Sequence, residues 1–123
     1  MSTFATRRAD LTTAMAAGSV KVSPAPGSIA PPVVLIFGDG IPDLRGIGRG
    51  QVPARFRLIL LAGKPDAAAS AKALDALLLA VLSVLRALAG WTIVEVRGVR
   101  TRSDAGSLYL SSDVIVESMI EIP

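Results

Sequence analysis

The stretch from Asp66 to Ala89 constrains this chain more than any other. Its twenty-four residues contain no glycine or proline and are dominated by alanine and leucine, the strongest helix formers. Pro65 stands just before it, with φ fixed near the helical value and no N–H to lose. Asp66 is placed to cap the free amides of the first turn and to meet the positive end of the helix dipole. Gly90 follows where a left-handed residue would end the helix. Such a helix is roughly 36 Å long at 1.5 Å per residue, the width of a small domain.

Projected at 100° per residue, its faces separate. Leu74, Leu77, Leu78, Val81, Leu85 and Leu88 form one broad stripe, with Lys72, Asp75, Ser83 and Arg86 opposite. Leu79 falls in the middle of the polar side, flanked by Ala76, Ala80 and Ala87. A helix apolar on more than one face is usually buried on more than one face. In so short a chain the second cover would come from another subunit. A lone exposed leucine is the alternative and needs no special cause.

Length and composition narrow the class. The 123 residues make one domain, 1–123, large enough for a core of its own. There is no cysteine, so disulfides and thiolate metal sites are excluded. There is no histidine, which removes the usual general base and the commonest metal ligand. The uncharged run between Asp75 and Arg86 is well short of the ~20 residues of a membrane span. Arg7 and Arg8 are followed by Asp10 and two threonines rather than an apolar signal core. A cytoplasmically made protein without membrane contact is the expectation. The net charge of +3 is mild, and its arginines gather as Arg45 and Arg49 in one loop and Arg100 and Arg102 in another, near Arg97.

In chain order, residues 1–18 read as a short N-terminal helix, capped by Ser2 or Thr3 and stopped by Gly18, with Phe4, Arg8, Leu11 and Met15 on one face. Val20–Val22 is a short strand candidate. Ser23–Pro32, with four prolines and a glycine, is a connector, and Val33–Phe37 a buried strand. Residues 38–54 form a flexible glycine-rich loop. Its Gly46-Ile47-Gly48-Arg49-Gly50 has the glycines of a phosphate loop, but no helix or Lys-Ser/Thr pair follows.

Arg55–Leu61 is a half-buried strand, with Phe56, Leu58 and Leu60 on one face and Arg55, Arg57 and Ile59 on the other. Trp91–Val96 is another, with Thr92, Val94 and Val96 opposite Trp91, Ile93, Glu95 and Arg97. Residues 98–106 form a polar, flexible hairpin tip. From Leu108 to Ile122 alternation persists for roughly 50 Å, so the strand either bends near Ser111-Ser112 or reaches past its own sheet. Glu117 and Glu121 are placed to pair with Arg55 or Arg57. The order predicts an α+β fold: a mostly antiparallel sheet packed against one long helix, with a short N-terminal helix.

Candidates for chemistry are few. Asp39 lies between glycines and Asp43 follows a proline, the contexts of turn residues. Ser111-Ser112-Asp113 lacks a histidine, and Lys21, Lys64 and Lys72 are the only lysines. A small enzyme using Asp39, Asp43 or Ser112 is the weakest reading, and neither catalysis, metal nor cofactor is expected. The loop arginines are not interleaved with aromatics, so phosphate contact without base stacking is the most they offer. Trp91 and Tyr109 suit a core or an interface.

Leu60-Leu61-Ala62-Gly63 before Asp66 and the Ala/Leu helix, then Gly90-Trp91, Val96-Arg97-Gly98-Val99, and Gly106-Ser107-Leu108-Tyr109-Leu110 before Val114-Ile115-Val116, resemble the tail terminator proteins of long-tailed, siphovirus-type bacteriophages. The resemblance covers roughly Val33–Pro123 and leaves the glycine-rich loop unmatched. It implies a tail-terminator-like α+β fold and a homo-oligomer, a hexameric ring, in the virion at the head-proximal end of the tail. That ring caps the tail tube, ends its polymerisation and joins the head-side connector or stopper protein. A neck stopper or tail completion protein is the near alternative, and a non-specific nucleic-acid-binding module a more distant one. On this reading Leu79, Ala76, Arg86, Glu117 and Met119 are expected at subunit interfaces. Arg45, Arg49, Arg100 and Arg102 are expected to face the lumen, where genomic DNA passes without sequence-specific contact, or the tube.

Overall fold

Hydrophobic side chains in a computed structural model of the chain collect mainly on one face of a five-stranded antiparallel sheet, under two helices. The structure describes residues 2–23, 30–104 and 106–123. The elements are α1 (Phe4–Ala17), β1 (Val33–Gly38), β2 (Gln51–Leu61), α2 (Ala68–Ala87), β3 (Thr92–Val96), β4 (Arg100–Asp104) and β5 (Ser107–Glu121). The α+β expectation, with its long helix over an antiparallel sheet and its short N-terminal helix, holds.

β5 is the centre of the sheet. It pairs with β2 over Ser111–Glu121, with β3 on its other side over Val114–Glu117, and with β4 over Ser107–Ser111. β1 completes the far edge through Val33↔Leu61 to Gly38↔Phe56. Beyond Ser111, β5 leaves the β2 ladder and runs on with β4 as a hairpin arm, so of the two alternatives for this strand it reaches past the body of its sheet.

Alternation decides what lies beneath the helices. Phe56, Leu58 and Leu60 of β2 and Val114, Val116 and Ile120 of β5 share a face with Val34 and meet Leu11 and Met15 of α1 and Leu74, Leu77, Val81 and Leu85 of α2. Phe56 lies between the rings of Phe4 (5.8 Å) and Trp91 (5.6 Å), both tilted. Gly18 ends α1 hard against α2, where a Cβ would sit 2.4 Å from Val84 Cγ2. The opposite face carries a smaller cluster of Val33, Leu35, Ile59 and Leu61 with Tyr109, and among the described residues no helix covers it.

Several boundaries differ from the sequence expectation. Thr3 caps α1 through a reciprocal capping box with Thr6. α2 begins later than expected: Ala67 is its N-cap and no side chain caps it, because Lys64–Ala67 close a turn first. Asp66 therefore does not cap. α2 ends at Ala87, and Gly90 adopts φ +85° just beyond. By length and composition α2 could cross a membrane, contrary to the run-length argument, but its apolar stripe packs on the sheet.

Val20–Val22 contributes only a bridge, Val22 to Val34, and residues 24–29 of the Ser23–Pro32 connector lie outside the described residues. β2 starts at Gln51 rather than Arg55. Over Gln51–Arg55 its other edge is unpaired with β1, so Pro53 forfeits no ladder bond there. Residues 100–104, expected as a flexible loop, form β4. In β3 a register shift between Ile93 and Glu95 breaks the expected alternation, so Ile93 and Val96 pair with the helix-side residues Val116 and Val114, while Thr92 and Glu95 pair with Glu117 and Ile115.

Candidate interaction surfaces

The helix-free face of the sheet is organised by two buried carboxylates. Asp113 on β5, with no exposed surface, accepts from Arg100 Nη2 on β4 at 2.6 Å and lies 3.9 Å from Arg57 Nη1 on β2. Four residues on, Glu117 accepts from Arg55 Nη2 at 2.5 Å through one carboxylate oxygen and from Arg45 through the other. Cross-strand register makes both clusters: Arg55 stands opposite Glu117, and Arg100 opposite Ser111 beside Asp113. Oδ1 of Asp113, Oγ of Ser111 and Nε of Arg57 are buried there without a hydrogen-bond partner.

Arg45 reaches this face because its loop folds back over it. Asp43 Oδ1 accepts from the Arg45 amide at 2.9 Å, the turn that a proline followed by aspartate announces, and the same carboxylate holds the Arg45 guanidinium. The amide first and the guanidinium second hold the Asp43 carboxyl below the usual aspartate value of 3.8. Asp43, then Glu117, raise the Arg45 guanidinium above its ordinary value. Gly46 and Gly50 take left-handed conformations (φ +81° and +76°) around a single 3-10 turn, Ile47–Arg49. No α-helix opens there, and both glycines shape that turn.

The expected site residues therefore divide. Ala76, Leu79 and Arg86 share the exposed outer side of α2, with Leu79 at 69% exposure. Glu117 and Met119 are on the opposite side of the molecule, on the helix-free face. Both oxygens of Glu117 accept from arginines of the same chain. Arg45 and Arg100 are likewise held by carboxylates, and Arg100 and Arg102 belong to a strand and not a loop. Arg49 is exposed and, among the described residues, its side chain has no partner. Glu121 is exposed and pairs across to Gln51, while Arg57 approaches Asp113 and not a glutamate.

Of the residues considered for catalysis, Asp43 and Ser112 make bonds to the backbone of their own chain. Ser112 Oγ donates to the Arg97 carbonyl at 2.7 Å, and Ser111 points to the other face of the sheet. Among the described residues the Asp39 side chain has no bonding partner, and its amide donates to the Arg55 carbonyl. Among the described residues no cluster of three or more acidic side chains could hold a metal ion.

Exposed apolar side chains are spread over the surface: Leu79 on α2; Ile93, Val94 and Val96 on the free edge strand β3; Val99 in the β3–β4 connection; Phe37, Ile41, Leu44, Ile47 and Ile122 at one end of the sheet; and Leu108 at the other. Beside Leu108 an open groove of about 740 Å³, mostly apolar, lies between the hairpin arm and the β2–α2 turn. Sequence reasoning found Leu79 from helical phase. It missed the groove, which joins Pro31, Ala62, Pro65 and Tyr109 from three parts of the chain.

Fold and surfaces together define a small α+β domain with one helix-covered sheet face, one arginine-rich face and several uncovered apolar patches. No known protein family and no curated protein matches the sequence.

Proposed function

We propose that this chain is a structural virion protein of the tail-terminator kind. Copies form a ring, with six the expected number, that caps the tail tube, ends its polymerisation and presents a joint to the head-side connector. The carrying observation is the grouping of exposed apolar side chains on the β1–β2 loop (Ile41, Leu44, Ile47) and on the edge strand β3 (Ile93, Val94, Val96). A lone soluble domain keeps such groups few, whereas a ring subunit has neighbours to cover them. Catalysis and cofactors have no part in this reading. A neck stopper or tail completion protein would use the same surfaces.

The arginine-rich face suits a lumen through which DNA moves without being gripped. Asp113 and Glu117 offset much of the charge of Arg45, Arg55, Arg57 and Arg100, so phosphates would meet a weakened positive field. The same pairings weigh against a dedicated nucleic-acid-binding module.

Adding the purified protein to polymerising tail tubes tests the proposal. Growth should stop, and electron microscopy should show ring density at tube ends. Leu79→Asp should abolish capping while the monomer still folds. A protein that stays single with tubes present, and leaves their length unchanged, would overturn it.

A further inference from the structure

The groove and the β1–β2 loop lie at opposite ends of the same sheet. The loop folds over β5 near Glu117 and Met119, where Arg45 is bound and Gly46 closes on Met119 Cε. The groove is bounded by Ser107, Leu108 and Tyr109 at the other end of that strand. Nine residues of extended chain separate Glu117 from Leu108, roughly 30 Å. A copy therefore cannot place its own loop in its own groove.

The two surfaces match. The loop presents Ile41, Leu44 and Ile47 at 48, 66 and 51% exposure. The groove offers Pro31, Ala62, Pro65, Leu108 and Tyr109. Charges flank both: Asp39 and Arg49 on the loop, Lys64 and Asp66 on the groove, all four exposed and, among the described residues, without side-chain partners. The loop is also held in shape by Asp43, Arg45 and Glu117, so little ordering would be lost on docking. The edge strand β3 is a poorer docking surface, because its bulge and its Glu95 are devices that discourage strand addition.

We propose that the β1–β2 loop of one copy seats Ile41, Leu44 and Ile47 in the groove of a second copy, with Arg49 against Asp66 and Asp39 against Lys64. The contact joins different patches on the two partners, so it propagates from copy to copy and closes only as a ring. This rests on the self-assembly in the function proposed above and names the surfaces that make it.

Sedimentation velocity on the full chain over a concentration series tests it. Wild type should associate, and Leu44→Asp and Leu108→Asp should each weaken association about tenfold or more, with unchanged circular dichroism. Arg49→Glu and Asp66→Lys should each weaken it, and the double variant should recover it. Mixing the Leu44→Asp and Leu108→Asp proteins should yield pairs that grow no further, since only one loop and one matching groove remain intact. Association of wild type that none of these changes disturbs would overturn this docking and leave the ring reading standing. Wild type that never associates, alone or with tubes, would overturn both.

Discussion

Arg45, in the loop between β1 and β2, is ion-paired to Glu117 on the central strand, 72 positions away in sequence. Glu117 keeps Arg55 as a second partner on the neighbouring strand. The pairing to Arg45 therefore governs the loop and not the sheet. Arg45→Ala should leave the global unfolding midpoint nearly unchanged and speed amide exchange over residues 40–50, read by hydrogen exchange. Equal acceleration in β2 and β5 would contradict this.

Asp113 shows the opposite asymmetry. It is fully buried, whereas Arg57 and Arg100 keep 30% and 45% of their side chains exposed. Removing Arg100 strands a buried carboxylate with only Arg57 at 3.9 Å, a loss of about 2–4 kcal/mol. Asp113→Asn leaves arginines that water can still reach and should cost less than Arg100→Ala. Urea denaturation of the two variants decides the order.

The acid response of the loop follows from Asp43. Its folded-state pKa lies below the unfolded value, so its contribution is present above the ordinary aspartate range and is lost as pH falls through the lowered value. The Asp43 carboxyl carbon should titrate below 3.8 by NMR, and Arg45→Ala should raise that midpoint. A midpoint at 3.8 in both proteins would show that the turn does not form.

Two core substitutions test the packing. Gly18→Ala drives a methyl into Val84 and should cost about 1–3 kcal/mol by overpacking. Phe56→Ala empties the site between Phe4 and Trp91 and should cost about 3–5 kcal/mol. Leu79→Asp, on an exposed position, should leave thermal stability within about 0.5 kcal/mol of wild type.

What could be read from sequence was what periodicity alone specifies. Leu74, Leu77, Val81 and Leu85 are buried as their helical phase requires, and the alternation of β5 and the Arg55–Glu117 pair follow from a period of two. β4 was invisible because Arg100–Asp104 has no apolar alternation; its order comes from β5 beside it. Asp113 stands within a polar Ser-Ser-Asp run, and nothing in that run announces that its carboxylate is buried against Arg57 of β2 and Arg100 of β4. The reach of Arg45 to Glu117 depends on a loop path that no periodicity encodes. Residues 51–54 read as part of the glycine-rich loop, and Pro53 fits a strand there because that edge of β2 is not paired with β1.

The central position of β5 has a consequence for biosynthesis. Every strand except β1 finds a ladder partner in Ser107–Glu121. A ribosome that has made only the preceding part of the chain has released a β1–β2 hairpin and an Ala/Leu helix that still lack Val114, Val116 and Ile120 of their shared core. Consolidation must wait for that segment to emerge, and until then the nascent polypeptide depends on chaperones or speed to avoid aggregation.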